Sequence, residues 1–134
     1  MRGMLLALSC CLLLVGCGNT DEKLTTFYAT YDGEKEQQIE KMLEKQKDIE
    51  HANIILIYDQ LLVAMQVKPW KKYKKKSIEK KVEEELKKEY PNLDLIVSAD
   101  FKLHWESTKL IEKNETKNLD KELKDLGDLA KEET

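Results

Sequence analysis

The alternation of apolar and polar positions divides the chain into a leader, a polar stretch and a series of short periodic segments. Met4 to Val15 is an almost unbroken apolar run behind Met1-Arg2-Gly3. A membrane-spanning helix needs ~20 apolar residues, so this shorter run reads as the core of a secretory signal. Gly18 to about Gly33 is polar, short in large aliphatics and without period, and reads as a tether. Fully extended, its ~15 residues would reach roughly 50 Å at ~3.3–3.6 Å each. Phe27, Tyr28 and Tyr31 interrupt it, either to pack on the domain or to dip into a membrane interface.

Beyond Gly33 the periods become regular. Ile39, Met42, Leu43 and Gln46 recur at i, i+3, i+4 and i+7, which predicts a helix over 34–48. Asn53 to Tyr58 and Leu61 to Val67 are β-prone runs two residues apart and predict a hairpin. The break, Asp59-Gln60, lacks the glycine that tight hairpin turns favour. Ile78, Val82 and Leu86, each four apart, form the ridge of a second helix between Trp70 and Tyr90, which Pro91 stops. Leu93 to Ser98 predicts a third strand. Asp100 is the expected N-cap of a helix running to about Lys113 with Leu103, Ser107, Leu110 and Ile111 on one face. Asn118 is the expected cap of a last helix carrying Leu119, Leu123, Leu126 and Leu129, with Gly127 weakening its final turn.

The predicted fold class is α+β, a small three-stranded sheet packed by helices in the order α-β-β-α-β-α with a C-terminal helical tail. Ile54-Ile55-Leu56-Ile57 is apolar on both faces of its strand. The second face of the sheet therefore needs cover, from the tail folded back or from a partner. The predicted organisation is a leader over 1–16, a modified cysteine and tether over 17–33, one domain over 34–113 and a charged helical tail over 114–134.

Composition narrows the class. Charged residues are 37% of the 134-residue chain, aromatics 7%, with 5 Gly and 2 Pro, which excludes collagenous, Gly/Pro-rich and disulfide-scaffold proteins. A formal net charge of −3 gives no expectation of nucleic-acid binding.

The leader ends Leu14-Val15-Gly16-Cys17, followed by Gly18-Asn19-Thr20, and looks like a bacterial lipobox. Small residues let a peptidase approach the backbone, and the Cys17 thiol accepts a diacylglyceryl group before becoming the new N-terminus. Two or more acyl chains hold a protein on a bilayer stably, where one does not. The expected location is extracytoplasmic, lipid-anchored on a cell or spore membrane. Cys10 and Cys11 leave with the leader and Cys17 is acylated, so the domain is expected to carry no disulfide and no thiolate metal site.

The lipobox, the acidic and lysine-rich first helix, the segments Ile49 to Ile57 and Leu61 to Val67, and Val82 to Asp100 ending Val97-Ser98-Ala99-Asp100 resemble the sporulation lipoprotein YhcN/YlaJ family. The resemblance covers roughly residues 39–113 plus the signal and is carried by aliphatic positions rather than by a catalytic motif. Members commonly show Asp-Pro where this chain has Asp100-Phe101. The resemblance implies a small extracytoplasmic lipoprotein of the spore membrane or coat, BON-like in architecture, with a role in sporulation, germination or outgrowth. It implies no catalytic residues.

The residues themselves point the same way. His51 and His104 are the only histidines, and neither has a second ligand at metal-binding spacing. The acids interleave with lysines on helix faces, a pattern of solvated ion pairs. No serine sits in a nucleophile elbow and no glycine-rich phosphate loop is present. We therefore expect no enzyme, no cofactor and no metal.

The local anomaly is basic. From Lys68 to Lys81 there are eight lysines and one acid in fourteen residues. Lys68, Trp70, Lys71, Lys72, Tyr73, Lys74, Lys75 and Lys76 are the candidate anion-binding residues. Cations at a helix N-terminus oppose the helix dipole, so either the helix starts later, at Ser77, or an anion compensates. An anionic membrane attracts such a patch by ~1 kcal/mol per lysine, and a tethered domain meets it at high effective concentration. The expected partners are a membrane through acylated Cys17, an anionic lipid or other envelope polyanion at the cluster, and a protein of the spore envelope. The plainer reading of the cluster is a solvated loop in a chain rich in lysine throughout.

Overall fold

The computed structural model describes residues 22–29, 33–114 and 117–132. Its elements are β1 (Leu24–Tyr28), α1 (Glu34–Glu44), β2 (Ile49–Ile57), β3 (Gln60–Val67), a 3₁₀ turn (Pro69–Lys74), α2 (Lys75–Glu89), β4 (Asp94–Ser98), α3 (Phe101–Lys113) and α4 (Leu119–Glu132). The sheet has four strands in the order β1-β2-β3-β4, not the three expected. β1 and β2 are parallel, β2 and β3 antiparallel, β3 and β4 parallel.

The extra strand is the correction to the stretch read as tether. Leu24 to Tyr28 pairs with Ala52 to Leu56 in unbroken register. An edge strand is hydrogen-bonded along one edge only, and the residues of β1 stay partly or fully exposed, so it needs few large aliphatics. Its pairing rests on backbone hydrogen bonds that leave little trace in side-chain pattern. Phe27 packs on the α3/α4 side and Tyr28 on the α1/α2 side, so both join the domain. Tyr31 lies outside the described residues.

Two cores sandwich the sheet. On one face Ile39 and Leu43 of α1 and Ile78, Val82 and Leu86 of α2 pack on Ala52, Ile54, Leu56, Leu61, Val63 and Met65. On the other, Leu103 and Leu110 of α3 and Leu119, Leu123 and Leu126 of α4 pack on Ile55, Ile57, Leu62 and Ala64. The tail thus folds back as the cover that the two-sided β2 demanded. Burying apolar area on both faces contributes about 25 cal/mol per Å², which explains why β2 and β3 carry almost continuous apolar runs. Both crossover helices, α1 and α2, lie on one face, while the β1–β2 and β3–β4 pairs run in opposite directions across the sheet. The two crossovers therefore have opposite hands, and one departs from the usual right-handed rule.

Local signals hold at most junctions. The β2–β3 hairpin closes with Tyr58-Asp59 between the paired Ile57 and Gln60. Tyr58 occupies the left-handed region at φ 50°, where glycine would sit without strain. Asp100 caps α3 by accepting from the Leu103 N–H at 3.3 Å, and Phe101 opens the helix directly. Asn114 ends α3 at φ 50°, a left-handed cap. Gly127 has a use that its low helix propensity concealed. A Cβ there would stand 3.0 Å from Ile96 Cδ1, so the missing side chain lets α4 approach β4.

Candidate functional site

The pairings Leu24 with Ala52, Ile49 with Val67 and Ala64 with Ser98 fix one end of the sheet. The chain enters the domain there, β3 leaves there into the lysine segment, and β4 leaves there into α3. Lys23 marks the point where the chain enters. Its ammonium donates to the carbonyls of Gln46 at 2.7 Å and Glu44 at 3.0 Å. Two residues on, the Asp48 carbonyl accepts from the Lys68 N–H at 2.9 Å. Burial, and then the Lys68 charge, hold the Lys23 ammonium below its ordinary value.

The lysine segment follows one local signal and departs from another. Pro69 fixes the first turn, and the chain winds as 3₁₀ through Lys74 before α2 begins at Lys75. α2 therefore starts before Ser77, with no acid in its first turn and no side-chain cap. All eight candidate residues come together on this turn and the opening of α2, at the surface. Trp70 is 67% exposed and Tyr73 77%, far more than rings used for packing. Lys68 lies 5.8 Å from the Trp70 ring centre and Lys74 lies 5.6 Å from that of Tyr73, within cation–π range. Lys71 reaches Asp48 at 3.9 Å and Lys76 reaches Glu79 at 3.5 Å. Among the described residues no ion pair engages Lys68, Lys72, Lys74 or Lys75.

Two aromatic residues that the sequence pattern had not singled out extend this end. Phe101 is 66% exposed at the start of α3, and Trp105, one turn on, is 52% exposed beneath the Lys109 ammonium. They sit four apart and off the Leu103, Ser107, Leu110 stripe, a spacing that could have marked them as outward-facing. A cleft of about 130 Å³ joins the two parts, with Lys75, Lys76 and Glu79 on one wall and Ser98 and Asp100 on the other. The Glu79 carboxylate accepts from the Ala99 N–H at 2.6 Å across it.

His51 and His104, which looked isolated along the chain, lie close enough for their charges to interact. Burial, and then His51, hold the His104 imidazole below its ordinary value. Ser107 donates to the His104 backbone carbonyl at 2.8 Å rather than to a ring nitrogen, so no base activates its hydroxyl. Asn53, buried on β2, donates to that carbonyl and lies within 2.9 Å of Ser107 Oγ and 2.8 Å of Thr108 Oγ1. These contacts tie α3 to the sheet. Among the described residues no group of three His, Cys, Asp or Glu side chains converges to hold a metal. A groove of about 730 Å³ lies along β4 and α4, lined by Leu95, Ile96, Val97, Asp120, Lys121 and Lys124 among others. Cys17 lies outside the described residues.

Fold and surface together define a small α+β domain whose distinctive chemistry is an exposed basic and aromatic end rather than an enclosed pocket. The sporulation lipoprotein YhcN/YlaJ family matches residues 18–125, and the chain belongs to it. The match takes in β1 and the first half of α4, both outside the 34–113 span. Membership implies a membrane-anchored, extracytoplasmic protein. Among the described residues no helix is long and apolar enough to cross a membrane. No curated protein and no solved structure matches the chain.

Proposed function

We propose that this protein is a lipid-anchored component of the spore or cell envelope that acts in sporulation, germination or outgrowth by contact rather than by catalysis. The observation that carries the reading is the family match from residue 18 onward, immediately behind Leu14-Val15-Gly16-Cys17. A thioether-linked diacylglyceryl group on Cys17 supplies the attachment, and palmitate is a fitting acyl chain. The α+β domain then presents its surface to envelope components.

Chemistry supports contact over conversion. Catalysis by paired carboxylates needs acids whose environments push their pKa values apart. The acids on α2 instead pair with lysines along the exposed helix, as Glu83 with Lys87 at 2.8 Å and Glu84 with Lys80 at 3.9 Å.

The test is fractionation of spores and vegetative cells, with mass analysis of the N-terminal peptide. The expected outcome is recovery in spore membranes with a diacylated Cys17 at the N-terminus, and release into the soluble fraction of a Cys17→Ser variant. A soluble, unmodified wild-type protein would refute the anchor.

A further inference from the structure

We infer that the exposed end formed by the 3₁₀ turn, the opening of α2 and the start of α3 lies flat on the anionic headgroups of the bilayer that carries the anchor. The inference rests on the anchored reading above and adds an orientation and a lipid chemistry to it.

Three independent observations meet at this end. The first is position. β1 begins at Leu24, and Lys23 is pinned to the end of α1, so only the residues from Cys17 to Lys23 separate acyl chains from domain. At ~3.3–3.6 Å per residue that is about 20 Å of chain, not the roughly 50 Å of a free tether. The basic end is the one this short leash holds nearest the bilayer.

The second is charge. Three acids around the lysine segment are already engaged: Asp48 by Lys71, Glu79 by Lys76 and the Ala99 N–H, and Asp100 by the Leu103 N–H. Lys68, Lys72, Lys74 and Lys75 are left over among the described residues. Their placement around a helix start with no side-chain cap and no acid opposes the dipole. Chains depart from local rules where function requires it.

The third is the rings. Trp70 and Tyr73, beside these lysines, and Phe101, at the start of α3, each expose about two-thirds or more of their surface. Tryptophan and tyrosine favour the boundary between hydrocarbon and water, and lysines on the same surface reach phosphate. A soluble polyanion would account for the lysines alone. The rings favour a partner with an apolar interior, which a bilayer has.

Trp70 and Trp105 are the only tryptophans, which makes the inference directly readable. The acylated full-length protein, in a Trp105→Phe background, would be reconstituted into vesicles of phosphatidylcholine alone or with added phosphatidylglycerol. On anionic vesicles Trp70 emission should shift to the blue and become protected from acrylamide. Raising the salt should reverse both, since screening shortens the reach of charge to ~3 Å at 1 M. Changing Lys71, Lys72, Lys74, Lys75 and Lys76 to Gln should abolish both with the far-ultraviolet circular dichroism unchanged. The salt series on the unchanged lysines stands if that variant misfolds. Acylated protein whose Trp70 stays equally open to acrylamide on both vesicles would overturn the docking and leave the anchor standing. Equal protection on both vesicles would overturn the electrostatic basis. Protection by soluble polyglycerol phosphate but not by anionic vesicles would overturn the bilayer in favour of a polymer. Protein recovered without acyl chains would overturn the anchor and the inference together.

Discussion

The Lys23 ammonium donates to the Gln46 carbonyl at 2.7 Å, tying the residue before β1 to the turn that ends α1. One side chain thereby satisfies helix-end carbonyls and fixes where the chain joins the sheet. Lys23→Met keeps the stem and removes the donor. Hydrogen bonds from charged donors contribute ~1.5–3 kcal/mol when well shielded, and partial exposure reduces that, so a loss of about 1 kcal/mol is expected. Urea unfolding measures it, and hydrogen exchange should show faster opening of β1 with β2 unchanged.

Asn53 carries the polar link between β2 and α3. Replacing it with Leu leaves Ser107 Oγ and Thr108 Oγ1 without the amide inside a packed layer. The expected cost is about 1 kcal/mol, the scale of a lost buried hydrogen bond, because both hydroxyls keep their bonds to the His104 carbonyl. A triple variant with Ser107→Ala and Thr108→Val should recover part of that loss in thermal unfolding, because the hydroxyls that lost the amide donor are gone.

Gly127 and Ile96 form a pair that a double-mutant cycle can separate. Gly127→Ala gains up to ~1 kcal/mol of helix propensity. The new methyl meets Ile96 Cδ1 at 3.0 Å, which opposes that gain. Ile96→Val removes the opposing atom at ~0.5–1.5 kcal/mol of its own. The two changes should therefore be favourably coupled by about 0.5–1 kcal/mol, read from chemical denaturation. Strict additivity would mean that α4 does not press on β4.

His104 sets a pH dependence. Its imidazole is held below the ordinary 6.5 by burial first and by His51 second. The unfolded chain takes up the proton first as pH falls, so stability is fully present above about 6.5 and declines below it, until the folded ring is protonated too. Lys102, Glu106 and Lys109 share its helix, and His51 and Glu50 lie on the facing strand. Unfolding midpoints between about pH 5 and 7.5 should fall with acid, and less steeply in His104→Asn.

Much of this was legible along the chain because it depends on near neighbours. Asp100 caps its helix through a residue three positions on, Pro69 and Pro91 bound the second helix region, and Ile78, Val82 and Leu86 face the core by spacing alone. The eight candidate surface residues were visible as composition, and exposure follows from lysine's cost of burial. Trp105 and Phe101 were missed because one outward aromatic residue per turn leaves no charge signal.

The sequence by itself determined the helices, the central hairpin, the two-sided strand that needed double cover and the basic run, since each is a matter of local period, propensity or charge. Tertiary structure alone decided that Leu24–Tyr28 is a strand, that α4 is the second cover, that Gly127 serves a close approach, and that Lys23, Trp70 and Phe101 share one end of the sheet. Those facts depend on pairing between segments far apart in the chain, and such pairing is set by whichever arrangement buries both faces of β2 and β3 at once.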